Sequence, residues 1–267
     1  MAGNGWYKAV TGGMSLCALG GVVALTHYRP LPPVPAHYRP DVHAEYVKYP
    51  SAGGATITAY LAYPERKDRA PGVVVIHEIF GLSDWIRQTT EQLAKDGFVA
   101  LAPDLLSRRG GTPPSSDEAR KLIAGLDPDT VTLDLDATVA YLKTRQAVRG
   151  DRIGTIGFCW GGGQSFRYAT HSPTLRAFVV CYGPAPSLAE VARIRAKGLG
   201  VYAENDARID GGLPDVAAAV KQAGIDYRYA VYPAVGHGFL RTREKAEVAD
   251  SAWGAVLRFF RENLEGR

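Results

Sequence analysis

The chain has 267 residues, 46% hydrophobic and 22% charged, which excludes a disordered, collagen-like or polytopic membrane protein. Its formal net charge is +4 and its basic residues lie among acids instead of in runs, so no nucleic-acid partner is expected, while a small anionic ligand fits. Cys17, Cys159 and Cys181 make no disulfide framework and no C-x-x-C pair, and no H-E-x-x-H spacing occurs, so neither a metal nor another cofactor is expected.

Residues 9–26 (AVTGGMSLCALGGVVALT) carry no charge, follow Lys8, and lead into Pro30, Pro32, Pro33 and Pro35. A basic start, an apolar stretch and small residues near Ala24 read as a secretory signal peptide cleaved after Ala24. An uncleaved membrane anchor through residues 9–26 is the competing reading, since the stretch sits at the lower edge of what crosses a bilayer of roughly 30 Å. Both place the protein outside the cytoplasm, in a periplasmic, extracellular or membrane-anchored setting; a cytoplasmic domain with a buried N-terminal helix ranks below them. Residues 1–40 are thus a leader and Pro-rich tether, and 41–267 one domain of unstated oligomeric state.

From Ala44 the pattern turns to strands. AEYVKY and ATITAYLAY flank Gly53-Gly54 and predict an antiparallel hairpin. GVVVIH (72–77) is a continuous apolar run suited to a parallel strand covered on both faces, with Ser83 capping a helix through Ala94. FVALAP (98–103) predicts a strand, 115–147 a helix, RIGTIGF (152–158) a strand, and a helix starts near Trp160. RAFVVCY (176–182), GLGVYAE (198–204) and YRYAVYP (227–233) are strand-like, with helices over 188–196 and 213–223 between them, and an amphipathic helix closes the chain over 243–263. This alternation predicts an α/β fold: a predominantly parallel sheet with an antiparallel N-terminal hairpin and helices on both faces. Its sites lie at the carboxyl ends of the strands.

At one such end stands Gly157-Phe158-Cys159-Trp160-Gly161, the G-x-C-x-G form of a nucleophile elbow. The strained strand-to-helix turn needs small residues two before and two after the nucleophile, and the helix N-terminus behind the sulfur favours thiolate over thiol. A glycine-rich phosphate loop is the rival, but the Lys-Ser/Thr ending is missing. The expected order of nucleophile, acid and histidine is met by Asp206 in AENDARID and His237 in AVGHGFL, each just after a predicted strand. Asp210 is a rival to Asp206, which lies closer to the strand end. His77-Glu78 ends another strand at this edge; Ile79 N–H from that loop and Trp160 N–H after the cysteine are the expected oxyanion donors. Glu78 beside a thiol disfavours thiolate, so a role for it requires movement or screening when substrate binds.

HEIFG, APDLLSR, GFCWGGG, END and GHGFLR together resemble the dienelactone hydrolase family of α/β-hydrolases over nearly all of 44–263. The resemblance implies an α/β-hydrolase fold, Cys159 as nucleophile with Asp206 and His237, and Glu78 as the acid that pairs with the resting thiol and releases it to substrate. It implies that Arg108 and Arg241 hold a substrate carboxylate, with Arg109 or Arg243 as substitutes. The expected activity is hydrolysis of an activated lactone or ester through a thioester. A broad carboxylesterase or thioesterase on the same residues, and a noncatalytic envelope binding protein, are the alternatives.

Overall fold

The computed structural model describes residues 22–25, as backbone, and 41–266. A nine-stranded sheet runs through the centre, in the order β1-β9-β8-β7-β6-β4-β5-β3-β2. In chain order the elements begin with β1 (Val22–Leu25), β2 (Val42–Pro50), β3 (Thr56–Pro64), β4 (Ala70–Ile76), α1 (Asp84–Lys95) and β5 (Val99–Pro103). They continue with α2 (Ser116–Ala124), α3 (Pro128–Thr144), β6 (Val148–Phe158), α4 (Trp160–His171) and β7 (Ala177–Cys181). The chain closes with β8 (Lys197–Asn205), α5 (Ala207–Asp210), α6 (Leu213–Gln222), β9 (Tyr227–Gly236), α7 (Phe239–Thr242) and α8 (Ala246–Phe260).

Neighbours from β5 through β9 to β1 pair in parallel, whereas β3 pairs antiparallel with β5 and with β2. The parallel strands are apolar on both faces because helices cover both. In β4, Val74 and Ile76 join the core on one face, with Leu101, Phe166 and Phe178. Val73 and Val75 join the core on the other, with Phe158, Val179 and Phe260. That alternation follows from the two-residue strand period.

Three predicted helices differ. The stretch 115–147 is two helices, because Gly125 ends α2 and Asp127 starts α3 by accepting the Thr130 N–H at 2.8 Å, with Pro128 at the first helical position. The predicted helix over 188–196 is a 3₁₀ turn, Leu188–Arg193. The last helix, predicted over 243–263, begins only at Ala246, because Arg243 has a φ of 50° that no helix continues through, and its end, Arg261–Glu265, is a π turn. Ser83 holds the N-cap position of α1 without a side-chain hydrogen bond to it.

Of the leader expected over 1–40, Val22–Leu25 pairs with Tyr227–Ala230 at the sheet edge; the rest lies outside the described residues. No helix of the described residues is long and apolar enough to cross a membrane. The carboxyl ends of β4, β6, β8 and β9 open on one edge of the sheet, so Glu78, Cys159, Asp206 and His237 converge there although they span much of the chain.

Candidate active site

Cys159 sits between β6 and α4 with φ 55° and ψ −119°, backbone angles that L-residues rarely adopt. Its N–H donates to the Cys181 carbonyl at 3.0 Å and its carbonyl accepts from Gly162 N–H at 3.0 Å, so sheet and helix hold the bend from both sides. A Cβ on Gly157 would fall 1.8 Å from the Gly161 carbonyl oxygen, and one on Gly161 would fall 2.3 Å from that of His77. Both glycines are therefore demanded by the close approach of strand and helix.

His237 follows β9 and Asp206 follows β8; His237 Nδ1 donates to Asp206 Oδ2 at 2.5 Å. Asp206 is buried, while the His237 side chain is 31% exposed, as a group that meets substrate must be. The imidazole is held above its ordinary pKa, chiefly by hydrogen bonding to the Cys159 side chain and further by Asp206, against a lowering from burial. Asp210 makes no bond to His237. Its buried Oδ1 has no partner, and burial together with the Asp206 charge lifts its carboxyl to about 6. The geometry thus brings together Cys159, His237 and Asp206, the arrangement expected of a nucleophile, base and orienting acid.

Glu78 is 4% exposed. Its charged partner is Arg241, with Nη1 3.3 Å from Oε1. No hydrogen bond joins the thiol to Glu78, the pairing implied by the family resemblance: Oε1 faces the Arg241 guanidinium and is a buried oxygen without a hydrogen-bond partner. Burial lifts the Glu78 carboxyl from 4.5 to about 7, against smaller lowering by Arg241 and His237. Because the folded state binds this proton more tightly than the unfolded chain, ionising Glu78 costs stability as pH rises through that interval. Glu78→Gln should accordingly match the parent's melting temperature near pH 4.5 and exceed it at pH 8. At about 1.4 kcal/mol per pKa unit and about 2–4 °C per kcal/mol, the gap is of the order of 7–14 °C. Melting curves across pH check this, and a gap that does not widen with pH refutes it.

Ile79 and Trp160 stand on either side of the elbow. Neither N–H finds an acceptor among the described residues, and Trp160, as the first residue of α4, has none within its helix. Tyr182, just beyond β7, was not singled out from sequence although it ends a predicted strand. It is buried with φ 40°, packs edge-on against His237 at 5.1 Å between ring centres, and its hydroxyl has no partner. Burial drives its pKa far up, with the nearby charges of Cys181, Glu78 and Cys159 adding to the effect.

Of the two arginines expected to bind a carboxylate, Arg108 is committed elsewhere. Its Nη2 and Nε donate to the buried Asp134 at 2.8–3.1 Å, and Nη2 also donates to the Ala52 carbonyl. The reason is that Asp134 is 1% exposed and needs a counter-charge. Arg241 does lie at the site, with its guanidinium 4.3 Å from the centre of the Phe80 ring, and Arg120 of α2 lies 4.9 Å from the same centre. Both line an open cleft of about 700 Å³ beside Phe80. Sequence reasoning did not single out Arg120, because an arginine on an exposed helix reads as a solvated charge.

A model of the dienelactone hydrolase family matches residues 57–264. A protein of Methylorubrum extorquens assigned by name as a carboxymethylenebutenolidase is 34% identical over 81% of this chain and 80% of its own. One of Bradyrhizobium sp., assigned as a 2-oxo-3-(5-oxofuran-2-ylidene)propanoate lactonase, is 33% identical over 80% and 92%. The crystal structure of a Klebsiella pneumoniae protein assigned as a dienelactone hydrolase superposes with a TM-score of 0.76 at 29% identity, covering 83% of this chain and 99% of that one.

Proposed function

The chain belongs to the dienelactone hydrolase family of ester and lactone hydrolases, and from that premise we propose that it opens activated lactones bearing a carboxylate, through a thioester on Cys159. Family membership argues against the noncatalytic alternative. The observation that carries the reading is His237 held between Asp206 and the Cys159 sulfur at a glycine-flanked bend.

The Cys159 sulfur attacks the lactone carbonyl as thiolate, its proton residing on His237, and the S–C bond forms as the carbonyl oxygen takes negative charge. Ile79 and Trp160 N–H groups stabilise that oxyanion. Collapse breaks the ring C–O bond, and the leaving enolate takes the proton from His237. Neutral His237 then removes a proton from water as it attacks the thioester, and the second tetrahedral intermediate expels the sulfur, leaving a ring-opened acid. Arg120 and Arg241 hold the substrate's carboxylate beside Phe80, a task suited to guanidinium groups. A broad carboxylesterase or thioesterase on the same residues is the second reading.

A panel of carboxylated lactones and neutral esters separates the two. Arg120→Ala should raise KM for the carboxylated substrates by about 10–100-fold, the loss of one or two charge-assisted hydrogen bonds, and change neutral esters less than about threefold. Arg108→Ala should leave this selectivity unchanged while lowering the melting temperature, because buried Asp134 loses its counter-charge. Equal small effects of Arg120→Ala on every substrate would favour the esterase. Export is part of the same proposal, supported by the uncharged run over 9–26 behind Lys8; the mass of the mature N-terminus decides it.

A further inference from the structure

His77 lies next to Glu78 but takes no part in the steps above. It is fully buried, and burial holds its imidazole below the ordinary pKa. Leu105 N–H donates to Nε2 at 3.2 Å, so that nitrogen is an acceptor and the neutral ring carries its proton on Nδ1. Nδ1–H then donates to the Glu78 carbonyl oxygen at 2.8 Å. That carbonyl and the Ile79 N–H belong to one planar trans peptide and point in opposite directions. Fixing the carbonyl towards His77 therefore fixes the N–H away from it. The other face of the ring stacks on Trp160, with ring centres 5.6 Å apart and planes inclined by 22°, and Trp160 supplies the second donor. A weaker hold on the same carbonyl comes from Gly81 N–H at 3.2 Å.

We propose that His77 is a positioning residue that braces both N–H donors of the oxyanion hole, one through a hydrogen bond to the Glu78–Ile79 peptide and the other through the Trp160 ring. The inference rests on the thioester reading, in which Ile79 and Trp160 hold the oxyanion. A turned Glu78–Ile79 peptide would aim a carbonyl at the developing negative charge in place of a donor, so the penalty falls on the transition state and spares the resting thiol.

The experiment compares His77→Phe, which keeps a ring against Trp160 but loses both hydrogen bonds, with His77→Gln, whose amide offers one donor and one acceptor. Three readouts are taken on an enol lactone substrate: kcat and KM, the rate of Cys159 alkylation by iodoacetamide, and inhibition by a trifluoromethyl ketone that adds to the thiol as a tetrahedral mimic. His77→Phe should lose about 10²–10³-fold in kcat, the cost of one oxyanion donor, and weaken the inhibitor in step, with KM and alkylation within about threefold of the parent. His77→Gln should recover at least a tenth of parental kcat. If the Phe variant does not fold, His77→Asn, too short to reach both partners, is read by the same criteria. Unchanged kcat, alkylation falling together with kcat, or Gln no better than Phe each overturns the role of His77. Turnover that does not depend on Cys159 would instead remove the thioester reading on which it stands.

Discussion

Changing Cys159 to alanine should lower kcat on an activated enol lactone by about 10⁴-fold or more, the scale on which loss of a nucleophile is felt when its partners act as a unit. In the parent, acid quenching during turnover should trap one substrate-derived acyl group on Cys159, and in the alanine variant none. Iodoacetamide gives an independent measure, because the two described cysteines differ in access. Cys159 is half-buried at the open edge of the sheet, whereas Cys181 is fully buried and its thiol is pushed far above the ordinary range by that burial. Of these two, alkylation should therefore fall on Cys159, and peptide mass mapping should show the label at residue 159 lost in the alanine variant. Wild-type turnover by Cys159→Ala would end the covalent mechanism outright.

The sulfur also bears on which substrates turn over. In the first tetrahedral intermediate two groups compete to leave, the thiolate and the substrate's oxygen, and a thiolate departs more readily than a simple alkoxide. An ordinary alkyl ester therefore partitions back to starting material, while an enol lactone, whose leaving oxygen is a stabilised enolate, goes forward. In the proposed reading, Arg120 and Arg241 add a second filter at the Phe80 cleft. On the proposed mechanism, cleavage is selected by leaving-group chemistry at the elbow, and binding by charge beside Phe80.

What was legible in the sequence is what steric necessity writes into residue type. Gly157 and Gly161 face each other too closely for any side chain, so the elbow announces itself. The parallel strands are buried on both faces, so GVVVIH and RIGTIGF stand out as unbroken or nearly unbroken runs. Asp206 and His237, which the fold joins by a hydrogen bond, could be picked out because each closely follows such a strand. What the sequence could not show shares a cause, which is contact between residues distant in the chain. Arg108 followed a motif into a substrate role, but its place is set by buried Asp134 on a helix that sequence cannot dock against the hairpin turn. Glu78 was expected to pair with the thiol, and only the fold shows the Arg241 guanidinium beside it. The undivided helix over 115–147 is a different error. Gly125, Asp127 and Pro128 carried the stop and start signals of two helices, and the apolar spacing on either side concealed them.

Asp206→Asn should be the second most damaging single change, with kcat falling by about 10⁴-fold while the fold persists, because asparagine can keep the contact but stabilises the wrong tautomer of the histidine. In the parent, the 2.5 Å bond from Nδ1 leaves Nε2 free to exchange a proton with the sulfur. An amide can offer its NH₂ to Nδ1, which moves the ring proton to Nε2 and removes the base from the side facing Cys159. The His237 pKa, read by NMR, should fall as well, since the Asp206 hydrogen bond and charge both help raise it, although the Cys159 contribution is larger and survives. Asp210→Asn is the control that gives this meaning. Asp210 touches neither ring nitrogen and feels Asp206 only as a neighbouring charge, so its loss should cost less than about tenfold. Were the two asparagine variants equally impaired, the orienting role would belong to the acidic pair, and the pairing of Asp206 with His237 would not by itself account for the base.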